Sequence, residues 1–428
     1  MKHLLIISPY FPPTNAADMQ RVRMSLPYFR QFGWEAEIVT VDQAYADLPT
    51  DELLLQGVKE ATTIHYVKAL SKKITSKLGL GSIALRSLYF YRNKVNQLLK
   101  EKKYQLIYFS TTQFPVCILG AYWEKKFGIP YVIDMQDPWH SDYYQNKPRH
   151  QQPPKYWFSY RLNKYLEPKA LKKVSGLISV SGKYIKDLKI RYPEIRDIPT
   201  AVIPFGAFEP DLKIATENEN TFSDILAKGF KNVVYIGRGG LDMHAAISPL
   251  FEAVAKGLAV HPKLFKNLRI YFIGTSYAPG GQGMPTVLPL AKQWEIEQNV
   301  IEITDRISYY HTLSTLNKAD ALFIPGSDDP GYTPSKLFPY LLTKKPLLAI
   351  VHSNSPANQI LQEYEAEFIY NYDDDSRIID KSIDFLMSLF NEKLSAQTYN
   401  ANALKKYSAQ NLSYEQCELF NNVLIGKA

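Results

Sequence analysis

The sequence predicts an α/β protein built from two doubly wound units, each a mostly parallel sheet with helices on both faces. Three observations carry this. Short apolar runs alternate with helical stretches along most of the chain. The alternation pauses once, across 206–231 with its polar run TENENTFSD, and then restarts, which marks the best linker. A length of 428 residues favours two or three domains, and a hydrophobic fraction of 46% is that of a folded globular protein.

The first half reads strand and helix in turn. HLLIIS opens it, followed by a helix from about Asp18 to Phe32, the strand EAEIVTV, and a helical stretch around Ser82–Lys103. QLIYFS, a helix from Phe114 to Phe127, PYVIDM, a long helix near Pro154–Lys173, GLISVS, another helix and TAVIPF complete it. Apolar runs of this length between helical stretches predict strands buried on both faces. The expected boundaries are 1–208 for the first unit, completed by 410–428, and 209–409 for the second.

The second half repeats the grammar with NVVYIG, a helix from Ala245 to Ala259, LRIYFIG, a helix near Thr286–Trp294, NVIEIT and the helix Ser308–Lys318. ALFI, a short helix beginning near Pro334–Lys336, PLLAIV and EFIY follow. After Asp373 the pattern is helical only. In the last helix Leu412, Leu419, Phe420, Val423 and Leu424 fall at helical spacing, and Ser413 with Gln416 predicts a capping box. That apolar stripe requires a docking surface.

Composition narrows the function classes. Cys117 and Cys417, far apart in apolar helical contexts, provide neither a disulfide framework nor a metal knot and fit a reducing cytoplasm. HLLIIS is too short for a signal-peptide core, and no stretch approaches a membrane span, so the expectation is a cytoplasmic protein. The net charge of +8 is uneven: Met1 to Phe208 carries 30 Lys and Arg against 17 Asp and Glu, the remainder 20 against 25. A basic first half fits either a solvated face or attraction to an anionic lipid surface or phosphate-bearing acceptor. No nucleic-acid-binding motif accompanies the charge, which argues against that partner.

Two strand ends in the second half have the chemistry of an anion site. In 319–351 a buried strand runs into a loop of Gly, Asp, Pro, Ser and Thr and then a helix, and ligands of open α/β sheets bind at such carboxyl ends. Thr333 or Ser335 can cap that helix, its first-turn amides face outward, and Lys336 adds a charge. Capped helix starts occur throughout α/β proteins, so one such loop does not distinguish. The second is KNVVYIGRGG: Gly237, Gly239 and Gly240 let a ligand approach the backbone, and the planar fork of Arg238 matches phosphate oxygens. Gly274, which ends LRIYFIG, and Arg306, after NVIEIT, are assigned to the same binding set.

The ordered succession MKHLLIISPYFPP, FRQFGWEAEIVTV, PYVIDMQDPW, LISVSGKY, AVIPFG, VVYIGR, YFIGTS, LNKADALFIPGS and SKLFPYLLTKKPLLAI resembles glycosyltransferase family 4 over nearly the whole chain. The resemblance implies the GT-B fold, two Rossmann-like domains facing across a cleft with the C-terminal helix crossing back to the first. It also implies retaining, metal-independent transfer from a nucleoside diphosphate sugar, UDP- or GDP-linked, to a saccharide or lipid-linked acceptor. No cofactor is expected beyond that donor. A bacterial surface polysaccharide pathway, at the inner face of the cytoplasmic membrane, is the implied setting.

The resemblance places Arg238 and Lys336 with Ser335 on the donor diphosphate, and Asp137, in DMQDPW, against the reacting sugar. Asp137 also suits a turn before Pro138. The lysine usual a few residues after the arginine is missing, with Met243 and His244 nearby instead. The loop SPYFPPTNAADMQR has no glycine, so Asn15 and Ala16 are its expected backbone contacts, with Arg21 or Arg23 near the cleft. Of two family glutamates, the second position carries Pro339, and Asp328 and Asp329 remain for the first. Pro339 also predicts a short or kinked helix. His140 and His150 are read as surface or packing residues. Two alternatives stay open: a nucleotide-sugar epimerase on the same frame, and a non-catalytic nucleotide-sugar-binding protein.

Overall fold

The computed structural model describes every residue except 59–61, 143, 144, 146, 147, 150, 151, 153, 154, 279, 332–336, 427 and 428. The chain divides into two compact units, Met1–Gly206 with Tyr407–Ala428, and Ala207–Lys406. Both are doubly wound and α/β.

The first unit holds seven parallel strands: β1 (Lys2–Ile7), β2 (Trp34–Val41), β3 (Thr63–Val67), β4 (Leu106–Ser110), β5 (Tyr131–Met135), β6 (Gly176–Ser179) and β7 (Thr200–Val202). Their order is β3-β2-β1-β4-β5-β6-β7. β4, β5 and β6 are buried along their whole lengths, as central strands covered on both faces must be. β3 is a strand that the apolar runs do not announce: it lies at the sheet edge, mostly part-exposed, so TIHYV has no continuous apolar face. Asp137 therefore follows the fifth strand of the chain.

Local signals set the helix ends. The Ser82 side chain accepts the Leu85 N–H and opens helix Ile83–Glu101, and Gly128, at φ 72°, closes helix Ile118–Phe127 in the left-handed conformation that glycine adopts without strain. The last helix, Ala409–Ile425, begins at Ser408, whose side chain accepts the Asn411 N–H, not at the expected Ser413. Ser413 lies one turn inside and donates to the Ala409 carbonyl, while Gln416 donates to Ser25. The expected stripe is buried at Leu412, Leu419, Phe420 and Val423. It packs on helix Gln20–Phe29 and on β6 and β7. Phe420 is fully buried, with ring centroids 5.5 Å from Trp34, 5.1 Å from Tyr108 and 6.3 Å from Phe29.

The second unit has six parallel strands: β8 (Lys231–Ile236), β9 (Leu268–Ile273), β10 (Val300–Ile303), β11 (Ala321–Pro325), β12 (Leu347–Val351) and β13 (Phe368–Asn371), in the order β10-β9-β8-β11-β12-β13. The expected linker is instead ordered structure. It contains helix Glu209–Glu217, packed on helix Tyr309–Lys318, and buried Asp211 accepts the hydroxyls of Tyr309 and Tyr310. Those partners lie far along the chain, so a short polar helix looked like spacer. Helix Leu337–Leu342 is short and contains Pro339.

Strand order reverses once in each sheet, between β1 and β4 and between β8 and β11. Loops leaving the carboxyl ends of such neighbouring strands diverge and open a crevice, the usual ligand position of this architecture.

Candidate functional site

In the second unit the loop after β8 carries Arg238 to that reversal. Its guanidinium donates to both oxygens of Asp242, at 2.9 and 2.5 Å. The same carboxylate accepts the Ser327 hydroxyl at 2.6 Å, and the Asp242 carbonyl accepts the Asp328 N–H at 2.8 Å. One side chain thus ties the loop after β8 to the loop after β11. The Arg238 hydrogen bonds hold the Asp242 carboxyl below the usual carboxylate range. The pair remains partly solvent-accessible, with side-chain exposures of 24% and 31%. Helix His244–Val260 starts just beyond, and no side chain caps its first turn.

The glycines of this loop leave no room for a side chain. A Cβ at Gly237 would strike the Tyr235 hydroxyl, one at Gly239 the Thr286 and Thr275 side chains, and one at Gly240 the Asp242 carboxylate. The Gly237 and Gly239 amides already donate to the carbonyls of Ile273 and Thr275. Gly274, at φ 74°, adjoins Arg306, whose exposed guanidinium lies 4.2 Å from the Tyr277 ring centroid. Asp329 accepts the Gly331 N–H and closes its own turn, while Asp328 is exposed. Thr333, Ser335 and Lys336 lie outside the described residues.

In the first unit a buried polar network sits at the ends of β1, β4 and β5. Asp18 accepts the Thr111 hydroxyl at 2.9 Å and the Thr112 N–H at 3.0 Å, bridging the reversal between β1 and β4. Arg21 Nε stands 2.6 Å from Asp134, both almost fully buried, and Ser110 and Gln136 also donate to that carboxylate. Arg21 and Arg23 are therefore interior residues, 3% and 0% exposed, and not solvent-facing cations. The expected backbone contacts are also engaged: the Asn15 amide donates to Pro49 and that of Ala16 to Thr14. The bridge between Thr14 and Thr50 folds that loop onto its own chain.

Asp137 emerges from the loop after β5 at the edge of a pocket of about 380 Å³. Its side chain reaches solvent in a crowded recess, and partial desolvation, reinforced by the Asp18 charge, raises its pKa. Phe114 and Trp139 stack in the wall with centroids 5.4 Å apart, and the indole N–H donates to Asn163 at 3.2 Å. His140 is buried against Tyr160, a packing role, and His150 lies outside the described residues. Asp242 and the Phe114–Trp139 wall are the features that sequence reasoning missed. The only local signal for Asp242 was an acid four residues after an arginine. Among the described residues, no group of three or more His, Cys, Asp or Glu stands close enough to hold a metal ion.

No protein-family model and no curated protein matches the chain. Solved structures do. A Candida albicans trehalose-6-phosphate phosphatase N-terminal domain superposes with a TM-score of 0.59 at 13% identity, covering 99% of this chain and 97% of that one. An α,α-trehalose-phosphate synthase (UDP-forming) from Burkholderia xenovorans, in complex with glucose-6-phosphate, gives 0.54 at 12% identity over 99% of both chains. A lipopolysaccharide outer core galactosyltransferase in its apo form gives 0.51 at 14% identity over 100% of both. At such identities the likeness is one of fold, and the fold is GT-B.

Proposed function

We propose that this chain transfers a sugar from a nucleoside diphosphate sugar, UDP- or GDP-linked, to a saccharide or lipid-linked acceptor. The observation that carries the reading is the position of Arg238, at the carboxyl end of β8 beside the strand-order reversal, in a fold shared with UDP-forming and galactosyl-transferring enzymes. A departing diphosphate gathers negative charge on its β-phosphate. A fixed guanidinium, the first turn of helix His244–Val260 and the Lys336 ammonium, which the family resemblance puts on that group, stabilise this charge most directly.

The reaction retains anomeric configuration and uses no catalytic metal. The acceptor hydroxyl attacks the anomeric carbon on the face the diphosphate leaves, the bond from that carbon to the phosphate oxygen breaks, and a phosphate oxygen takes the hydroxyl proton. No side-chain nucleophile enters this scheme. The first unit serves the acceptor, with Asp137 as the carboxylate nearest the reacting sugar. Bacterial surface polysaccharide synthesis is the setting, supported by the resemblance to family 4 and by the galactosyltransferase likeness. The basic first unit supports peripheral contact with an anionic membrane. Among the described residues no helix is long and apolar enough to cross one.

A thermal-shift panel of UDP, GDP, ADP and their sugars tests the donor assignment. Saturating stabilisation by one nucleotide series is expected, and a flat panel overturns it. Pro339 and the Asp242 contact on Arg238 favour a donor-binding protein without transfer as the second reading. Slow donor hydrolysis without acceptor separates the two, because only a transferase shows it.

A further inference from the structure

Asp137 belongs to a short stretch whose neighbours on both sides are tied into the interior. Across 136–140 Gln136, Trp139 and His140 are buried, while Asp137 and Pro138 reach solvent. On the amino side the Gln136 Nε2 donates to Asp134 at 2.8 Å and Ser110 at 3.0 Å, with the Asp18 carbonyl at 3.2 Å. That one amide joins β5, β4 and the loop after β1. Pro138 fixes its own φ and restricts the residue before it, which is Asp137. On the carboxyl side the Trp139 indole N–H donates to Asn163 at 3.2 Å, and the ring stacks on Phe114.

His140 is held by its backbone. Its N–H donates to Glu167 at 3.0 Å, and its carbonyl accepts from Arg191 Nη1 at 3.1 Å. The same Arg191 nitrogen donates to Glu167 at 2.6 Å, and the Tyr192 hydroxyl donates to that carboxylate at 2.8 Å. Glu167 is 0% exposed. It lies in helix Tyr156–Leu171, between β5 and β6, and Arg191 ends helix Gly182–Arg191, between β6 and β7. Two successive crossovers therefore close on both backbone groups of a residue three positions beyond Asp137. A buried ion pair adds little net stability over a well-packed apolar residue, because desolvation offsets its attraction. What this pair does supply is a single position for the loop after β5.

We infer that Glu167 and Arg191 are positioning residues: by fixing the His140 backbone they hold the Asp137 carboxylate at one place in its recess. This rests on the transferase reading, in which Asp137 faces the reacting sugar, and both residues act only through it. A displacement of a reacting group by about 1 Å can cost on the order of 10²-fold in rate.

The test uses the full chain and Glu167→Gln. The substitution keeps the side-chain shape, but an amide has one acceptor end, so its NH2 must face either the His140 N–H or the Arg191 and Tyr192 donors. Arg191, with its side chain 32% exposed, can turn to water. The first readout is the 13C titration of the Asp137 carboxyl, assigned by the resonance lost in Asp137→Asn. In Glu167→Gln it should move down toward the usual carboxylate range, because the released group is better hydrated and less exposed to the Asp18 charge. The second is the kcat/KM for acceptor, expected to fall about 10- to 100-fold with UDP affinity unchanged. If Glu167→Gln does not fold, Asn163→Leu, which frees the Trp139 indole, replaces it with the same expected directions. A lower urea midpoint with the Asp137 titration of the folded protein unmoved assigns the clamp to stability alone and overturns the proposal. A shifted titration with unaltered transfer upholds the clamp and defeats the role of Asp137 in the reaction. Absence of transfer by the unaltered chain from every nucleotide sugar defeats the transferase reading, and the titration still decides whether Glu167 holds Asp137.

Discussion

Both terminal nitrogens of the Arg238 guanidinium donate to the Asp242 carboxylate, so the cation assigned to a diphosphate already has a partner within its own loop. Arg238→Ala should cost about 2–4 kcal/mol of transition-state stabilisation, the loss seen for one oxyanion donor, and Lys336→Ala a similar amount. Asp242→Asn removes a charge that competes with the ligand, so UDP affinity should rise a few-fold while kcat falls with the guanidinium less firmly aimed. Calorimetry and initial rates separate these effects. Weaker UDP binding in Asp242→Asn would mean that the carboxylate positions the arginine more than it competes.

Asp137→Asn should impair sugar transfer far more than donor binding. A kcat/KM for acceptor reduced about 10²-fold beside an unchanged UDP Kd is the expected pattern, typical of losing one positioned charge at the reacting centre. Equal loss of both quantities assigns the residue to folding.

Glu37 gives the first unit an acid limit. Burial alone raises its carboxyl, but hydrogen bonds from His65, Lys102 and Tyr104 outweigh burial and bring the pKa from 4.5 to about 2. A carboxyl depressed in the folded state contributes stability above its unfolded pKa and loses it as pH falls through the folded value. Urea midpoints should therefore drop between pH 4.5 and about 2. Glu37→Gln should flatten that part of the profile, and an unchanged slope places the acid sensitivity elsewhere.

Phe420→Ala leaves a cavity among Trp34, Tyr108 and Phe29. The expected cost is about 3–5 kcal/mol, the transfer and cavity terms for a buried phenylalanine. Chemical denaturation followed by tryptophan fluorescence measures it, and a cost below about 1 kcal/mol would mean that the helix is dispensable to that core.

Membrane contact is tested by vesicle sedimentation. The exposed side chains Trp157, Tyr165, Ile74 and Leu70 lie on segments that also expose Lys72, Lys73, Lys77 and Arg161. Co-sedimentation with anionic vesicles, reduced by salt and absent with neutral ones, is expected. Equal recovery in the supernatant with both lipids counts against it.

The fold was legible where burial acts on both sides of a strand. β4, β5 and β11 are buried throughout and mostly apolar, and their runs stand out without any partner in view. β3 was hidden because an edge strand need not be apolar, and helix Glu209–Glu217 because its anchor, Asp211, meets tyrosines almost a hundred residues later. At the candidate site, composition pointed to the loop after β8. What fills the space beside its glycines is Tyr235, Thr286 and Asp242, and no local pattern encodes such close contacts. Arg21 or Arg23 is expected near the cleft, yet both are interior, an uncommon place for arginine. The buried Asp134 that receives Arg21 becomes its neighbour only when β5 pairs with β4. The aromatic pocket draws on four separated segments and has no linear signature.

The helix Ala409–Ile425 belongs to the unit that begins at Met1, with all of Ala207–Lys406 between its parts. During translation at roughly 5–20 residues per second, Trp34 and Tyr108 therefore wait on the order of 15–80 s for Phe420 to be synthesised. Over that interval the nascent first sheet presents an uncovered apolar face. A gene fragment ending at Gly206 makes this condition permanent, so such a fragment needs the last helix grafted back, or supplied in trans, to remain in solution.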